Sequence, residues 1–190
     1  MGRQGLDAAR VAAAAGDLAD REGLDAVTLA RVAASLGVRS PSLYHHVDGL
    51  AGLRRAVALD AVGALAAALR EAAVGRSGRD ALAATARAYR AYVLAHPGRY
   101  AATVRAPAPG DAQLAAAGRA VLDVVAGALR AWRLQGDDLV HALRVVRSAV
   151  HGFATLEAAG GFGLPQDVDA SFERLVDALA SGLGAPGGER

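Results

Sequence analysis

Cysteine, lysine, isoleucine and asparagine are absent from all 190 residues, so each of the 21 basic side chains is an arginine. Without cysteine there is no disulfide framework, thiolate metal site or cysteine nucleophile, a composition that suits a reducing cytoplasm. Aromatics make up only 4% of the chain, and with isoleucine also missing it is poor in strand formers. Long apolar runs are lacking too. Near the N-terminus only Val11–Gly16 is apolar, and Asp17 cuts it short, so neither a signal peptide nor a span of roughly 20 residues, and hence no membrane partner, is expected. An excess of one charge is the last absence. The net charge is +2, and residues 1–55 hold seven arginines against six acids. Bulk charge therefore cannot hold a polyanion here; positive groups would have to be gathered on one face.

What is present is alanine, leucine, valine and arginine in long stretches, which favours helix. Gly, Pro and capping residues divide these stretches into about nine helices of an all-α fold. The expected segments are Leu6–Glu22, Leu29–Leu36 capped by Thr28, and Pro41–His46 opened by Ser40 and Pro41. A long connector, Asp48–Ala73, follows. Beyond it come Arg79–Ala95, Gly98–Arg105, Asp111–Leu134, Asp137–Ala159 and Val168–Leu183. This layout predicts a three-helix N-terminal domain over 1–50, a helical bundle over 51–184, and a frayed tail over 185–190.

The segment 28–47, Thr-Leu-Ala-Arg-Val-Ala-Ala-Ser-Leu-Gly-Val-Arg-Ser-Pro-Ser-Leu-Tyr-His-His-Val, meets the physical needs of a helix-turn-helix. Val32, Leu36 and Leu43 can pack between two short helices, Ala33 is small where they would cross, and Gly37 supplies the turn. The second helix would then expose Arg39, Ser40, Ser42, Tyr44, His45 and His46, groups able to reach phosphates or base edges in a major groove.

With the Ala-rich first helix ending in Gly23-Leu24-Asp25-Ala26-Val27-Thr28, then Val32-Ala33, Leu36-Gly37-Val38, Ser42-Leu43-Tyr44-His45-His46-Val47 and Leu53, residues 6–55 resemble the tetracycline-repressor (TetR) family. The resemblance implies phosphate contacts by Thr28, Tyr44 and His46, with Arg39, Ser40, Ser42 and His45 facing bases. Two positions depart from the family pattern. Val47 stands where Phe is commonest, and Leu50 where a Lys usually meets the backbone phosphate; Arg54 and Arg55 are the candidates to replace that contact.

The second half carries His151-Gly152-Phe153-Ala154-Thr155-Leu156-Glu157, Gly160-Gly161-Phe162-Gly163-Leu164-Pro165 and Ser171-Phe172. This stretch is similar to the TetR C-terminal domain named for a Trp-His-Gly motif, with Val150 in place of the Trp. Phe153, Leu156, Phe172, Leu175, Val176 and Leu179 recur at helical spacing and are the expected dimer interface, two helices from each subunit forming a four-helix bundle about a two-fold axis. A homodimer is also what DNA reading needs, since two recognition helices about 34–36 Å apart enter successive major grooves of double-stranded operator DNA.

Family members sense small molecules between the middle helices. The residues expected to line such a pocket are Tyr89, Tyr92, Tyr100, Arg105, Trp132 and His141, and the lining suits an apolar, metabolite-sized effector. The resemblance implies a ligand-responsive repressor in which the connector links reader to bundle. No cofactor is expected. Two other classes fit the sequence less well. For an enzyme, paired carboxylate and Glu-x-x-His motifs are missing, Asp138/His141 and Ser148/His151 are bare pairs, and the Gly160–Gly163 run lacks the Lys and hydroxyl of a phosphate loop. A purely structural helical protein leaves Arg39–His46 unexplained.

Overall fold

Alanine-rich segments interrupted by glycine or proline only at intervals leave the backbone little alternative to helix. The computed structural model describes residues 6–184. It contains α1 (Ala8–Glu22), a 3-10 turn (Leu24–Ala26), α2 (Leu29–Ser35), a 3-10 helix (Ser40–His45), α3 (Gly49–Ala73), α4 (Gly78–Ala95), α5 (Pro97–Ala101), α6 (Ala112–Ala128), a second 3-10 turn (Arg130–Trp132), α7 (Gly136–Ala158) and α8 (Val168–Gly182). Among the described residues there is no strand, and no helix is long and apolar enough to cross a membrane. The tail expected at 185–190 lies outside the described residues.

The chain divides into two units, 1–64 with 95–117 and 65–94 with 118–190. In the first, α1 turns Val11, Ala15, Leu18 and Ala19 inward, the i, i+4, i+7, i+8 spacing of one helix face. They meet Val27, Val32, Ala33, Leu43, Val47, Leu53 and Val57 in one buried cluster. That cluster draws on α1, α2, the 3-10 helix and the start of α3, so the short elements stand on a core they could not make alone. Asp7 caps α1 by accepting from the Arg10 amide at 2.8 Å, which satisfies one of the helix's unpaired donors.

In the second unit α4 is keyed to the end of α7 and to α8 by charge as well as by apolar packing. The Arg90 guanidinium meets Glu157 through two bonds of 2.6 and 2.5 Å, lies 2.7 Å from Asp169, and sits over the Phe172 ring at 4.9 Å. Hydrogen bonding to Glu157 holds its charged form well above the usual arginine range. Along the same α4, Arg87 grips Glu173 with two 2.6 Å bonds, and Arg79 pairs with Asp177. Partners spaced along α4 and α8 fix their register more firmly than one exposed pair could.

Three elements differ from the sequence expectation. The third helix is a 3-10 helix that begins at Ser40, with extended Arg39 as its N-cap and no side-chain cap, so Ser40 is not the hydroxyl cap its sequence suggests. The helix expected over Gly98–Arg105 stops at Ala101. The helix expected over Asp111–Leu134 ends at Ala128. Its continuation is broken by the 3-10 turn ending at Trp132 and by Arg133, whose φ of 54° is left-handed. The cause is tertiary: the Trp132 indole N–H donates to the Gly184 carbonyl at 2.8 Å, a bond available to the buried indole in this bent path.

Candidate nucleic-acid interface

Residues 28–47 fold around a turn at Gly37, whose φ of +68° is cheap only for glycine. The turn is closed by Gly37 N–H to Ala34 O at 3.1 Å and Val38 N–H to Ala33 O at 3.0 Å. Before it, Thr28 caps α2, its hydroxyl oxygen accepting from the Arg31 amide at 3.3 Å. That leaves the hydroxyl proton free to donate outward from an exposed position.

Beyond the turn, the 3-10 period of three residues sorts the side chains into rows. Leu43 is fully buried, and Ser40 and His46, on the same row, are half-buried beside it. Tyr44 follows Pro41 on a second row and is 61% exposed. His45 is exposed on a third row, behind half-buried Ser42. Arg39 is exposed at the entrance and makes no ion pair among the described residues. Thr28, Arg39, Tyr44 and His45 thus stand clear of the core, while Ser40, Ser42 and His46 show part of their surface. The side that meets solvent carries no carboxylate, and its groups, the Arg39 guanidinium among them, can donate hydrogen bonds.

Most arginines around this surface are committed elsewhere. Arg31 bonds Glu22 at 2.5 Å, and that bond lowers the Glu22 pKa. Arg55 donates to both carboxylate oxygens of Asp111, at 2.6 and 2.7 Å, and to Gln113 at 3.2 Å. The pairing lowers the Asp111 pKa, aided by the Leu114 amide. Arg54 has a looser contact, 3.4 Å to Asp25.

Sequence reasoning missed a lock between α1 and α5. Asp20 accepts from the Arg99 amide at 2.8 Å and its guanidinium at 2.9 Å, and lies 3.1 Å from His96 Nδ1. Arg99 also bonds Asp17 at 2.7 Å. Gly98 fits so closely that an added Cβ would lie 1.9 Å from the Ala19 carbonyl oxygen. The signal was present as two acids three apart on one helix and His96 with Arg99 three apart on another, but nothing in the sequence pairs distant segments.

The residues expected to line an effector pocket are drawn from both units. Tyr89, Tyr92 and Trp132 are buried in the second unit, where His141 is exposed. Tyr100 is buried and Arg105 exposed in the first. A cleft of about 240 Å³ in the second unit is lined instead by Arg70, Arg76, Asp123, Gly127 and Arg130 among others, none of them anticipated. The expected dimer stripe also divides. Phe172 and Val176 are fully buried and Leu179 nearly so within the chain itself, which corrects their assignment to an interface: they are core. Leu156 is 54% exposed, and Phe153 and Leu175 are half-buried.

Both halves of the chain are similar to known proteins. Residues 6–57 match the family model described as bacterial regulatory proteins of the tetR family. Residues 82–179 match that of the tetracyclin repressor-like C-terminal domain. An HTH-type transcriptional regulator of Mycobacterium tuberculosis is 40% identical over 165 residues, covering 86% of this chain and 75% of that protein. A Rhodococcus protein of unknown function superposes with a TM-score of 0.78 at 28% identity, over 95% of this chain and 96% of the other. A possible TetR family transcriptional regulator from Streptomyces coelicolor gives 0.73 at 26%, over 93% and 98%.

Proposed function

Because the chain belongs to the TetR family of bacterial transcriptional regulators, we propose that it binds operator DNA as a homodimer and represses transcription until a small molecule releases it. The observation that carries this reading is the sorting of the 3-10 helix. Leu43 anchors it in the core, while Tyr44 and His45 project from rows that contribute nothing to that core. Exposed donors on a buried footing are what reading a groove requires, and they have no evident role in a purely structural protein.

In this reading Thr28, Tyr44 and His46 meet phosphates, and Arg39, Ser40, Ser42 and His45 meet bases. Dimerisation uses the exposed part of α7 and its neighbour, with Leu156, Phe153 and Leu175 in the contact. The effector binds in the second unit, where Tyr89, Tyr92 and Trp132 supply aromatic surface. Release follows if the effector prefers a bundle shape in which α3, the helix running from the reader into the second unit, is tilted. Its differential affinity for the two shapes sets the size of the response.

The test is a gel shift with duplex DNA from around the chain's own gene, at low and high salt. Wild type is expected to bind in a salt-sensitive manner. The Tyr44→Ala/His46→Ala double variant should lose binding while keeping its helical spectrum. A folded dimer that binds no fragment at low salt would overturn the proposal and leave a helical interaction protein in its place.

A further inference from the structure

Leu50, exposed at the start of α3, cannot donate to a phosphate, and the two arginines one turn further on are in different states. Arg55 is engaged by a carboxylate through two short bonds and by Gln113. Turning it toward DNA would break a bidentate charge-assisted pair. Arg54 holds one 3.4 Å contact to Asp25, a carboxylate fully open to water, and its shielded Nε has no partner. Exchanging such an exposed contact for another anion costs little.

Position supports the same choice. Arg54 is four residues after Leu50, on the same face of α3. A long helical side chain leans back over the turn N-terminal to its own Cα, which puts the Arg54 guanidinium at the level of Leu50. Its contact with Asp25 places it beside the loop that ends in Thr28. Leu53 and Val27 lie in one buried cluster, so that loop and the start of α3 are held together. A guanidinium presented there, already facing an anionic oxygen, has the planar fork that phosphate oxygens accept.

We propose that Arg54, and not Arg55, makes the backbone-phosphate contact that Leu50 cannot make. The inference rests on the DNA-binding reading and adds one phosphate contact per protomer to it. In a dimer, losing two such contacts lowers the slope of log affinity against log salt by about 1.8. Between about 50 and 200 mM salt the variant should therefore lose roughly twelvefold less affinity than wild type.

The experiment is fluorescence anisotropy of the full chain on a labelled duplex of about 30 base pairs drawn from DNA around its gene. It compares wild type, Arg54→Gln, Arg54→Lys, Arg55→Gln and Arg54→Gln/Leu50→Lys across a salt series, with a thermal melt of each. The expected result is a shallower slope for Arg54→Gln, a wild-type slope for Arg54→Lys and Arg55→Gln, and recovery in the Leu50→Lys double variant. A wild-type slope for Arg54→Gln, or a reduced one for Arg55→Gln, overturns the inference and leaves the regulator reading standing. Salt-insensitive or absent binding by wild type overturns both.

Discussion

Alanine substitution at two helical glycines should change stability in opposite directions. In Gly98→Ala the new Cβ would lie 1.9 Å from the Ala19 carbonyl oxygen, 2.0 Å from its carbon and 2.5 Å from the Asp20 nitrogen. All three are backbone atoms, so no side chain can swing aside, and α5 must back away from α1 by about 1 Å to reach even the closest tolerable approach. Overpacking of this kind costs about 1–3 kcal/mol. It would also stretch the bonds that Arg99 makes to Asp20 and Asp17. The gain from replacing a helical glycine, at most about 1 kcal/mol, offsets part of this. For a chain of this size the melting temperature should fall by roughly 2–10 °C. Gly127, on α6, has nothing within 4 Å of an added Cβ and no positive φ. There the helix gain acts alone, and Gly127→Ala should raise the melting temperature by about 1–4 °C. Circular-dichroism melts of both variants beside wild type decide the matter. A Gly98→Ala protein melting at or above wild type would refute the reasoning, because it would mean that α1 and α5 are not in backbone contact.

Further outcomes follow from the second unit. Phe172→Ala removes a fully buried ring that packs edge-on against Phe153 at 5.1 Å and should lower the unfolding free energy in urea by about 3–5 kcal/mol. Leu156→Asp, at a half-exposed position, should keep the wild-type helical spectrum yet run as a monomer in light scattering; a persistent dimer would remove Leu156 from the interface. Burial, with Arg147 nearby, holds the His151 pKa below the ordinary histidine range. The folded chain therefore binds fewer protons than the unfolded one once pH drops below about 6.5, and stability declines from there toward the folded-state value. His151→Gln should flatten that decline below about pH 6.5, and an unchanged pH dependence of the melt would exclude His151 as its source.

The helices and the reader were legible because their signals are local. Thr28 as a cap, Gly37 as a turn and the apolar spacing of Val32, Ala33 and Leu43 each act through near neighbours. Where distant segments meet, legibility failed. Nothing around Ala128–Gln135 breaks a helix by residue type, and the bend there depends on a bond from Trp132 to Gly184. Phe172, Val176 and Leu179 carry the same periodicity whether they face a partner or their own core, so spacing could not decide, and the fold assigns them to the core. The aromatics expected to form one pocket come from both units, and composition shows only which residues could line a cavity. Arg54 and Arg55 are indistinguishable in sequence, and what separates them is Asp111, which lies 56 positions from Arg55.

The three-residue period of the helix at Ser40–His45 has a consequence for how this regulator can diversify. Because Leu43 lies on one row and the exposed side chains of Tyr44 and His45 on the other two, residues 44 and 45 can be exchanged without disturbing the footing beneath them. Such an arrangement separates the part of the protein that must be kept from the part that can drift. In the proposed DNA-binding reading, exchange at His45 retargets base recognition while exchange at Tyr44 alters the hold on the backbone, so a library randomised at those two positions should consist largely of folded members that differ in the DNA they bind.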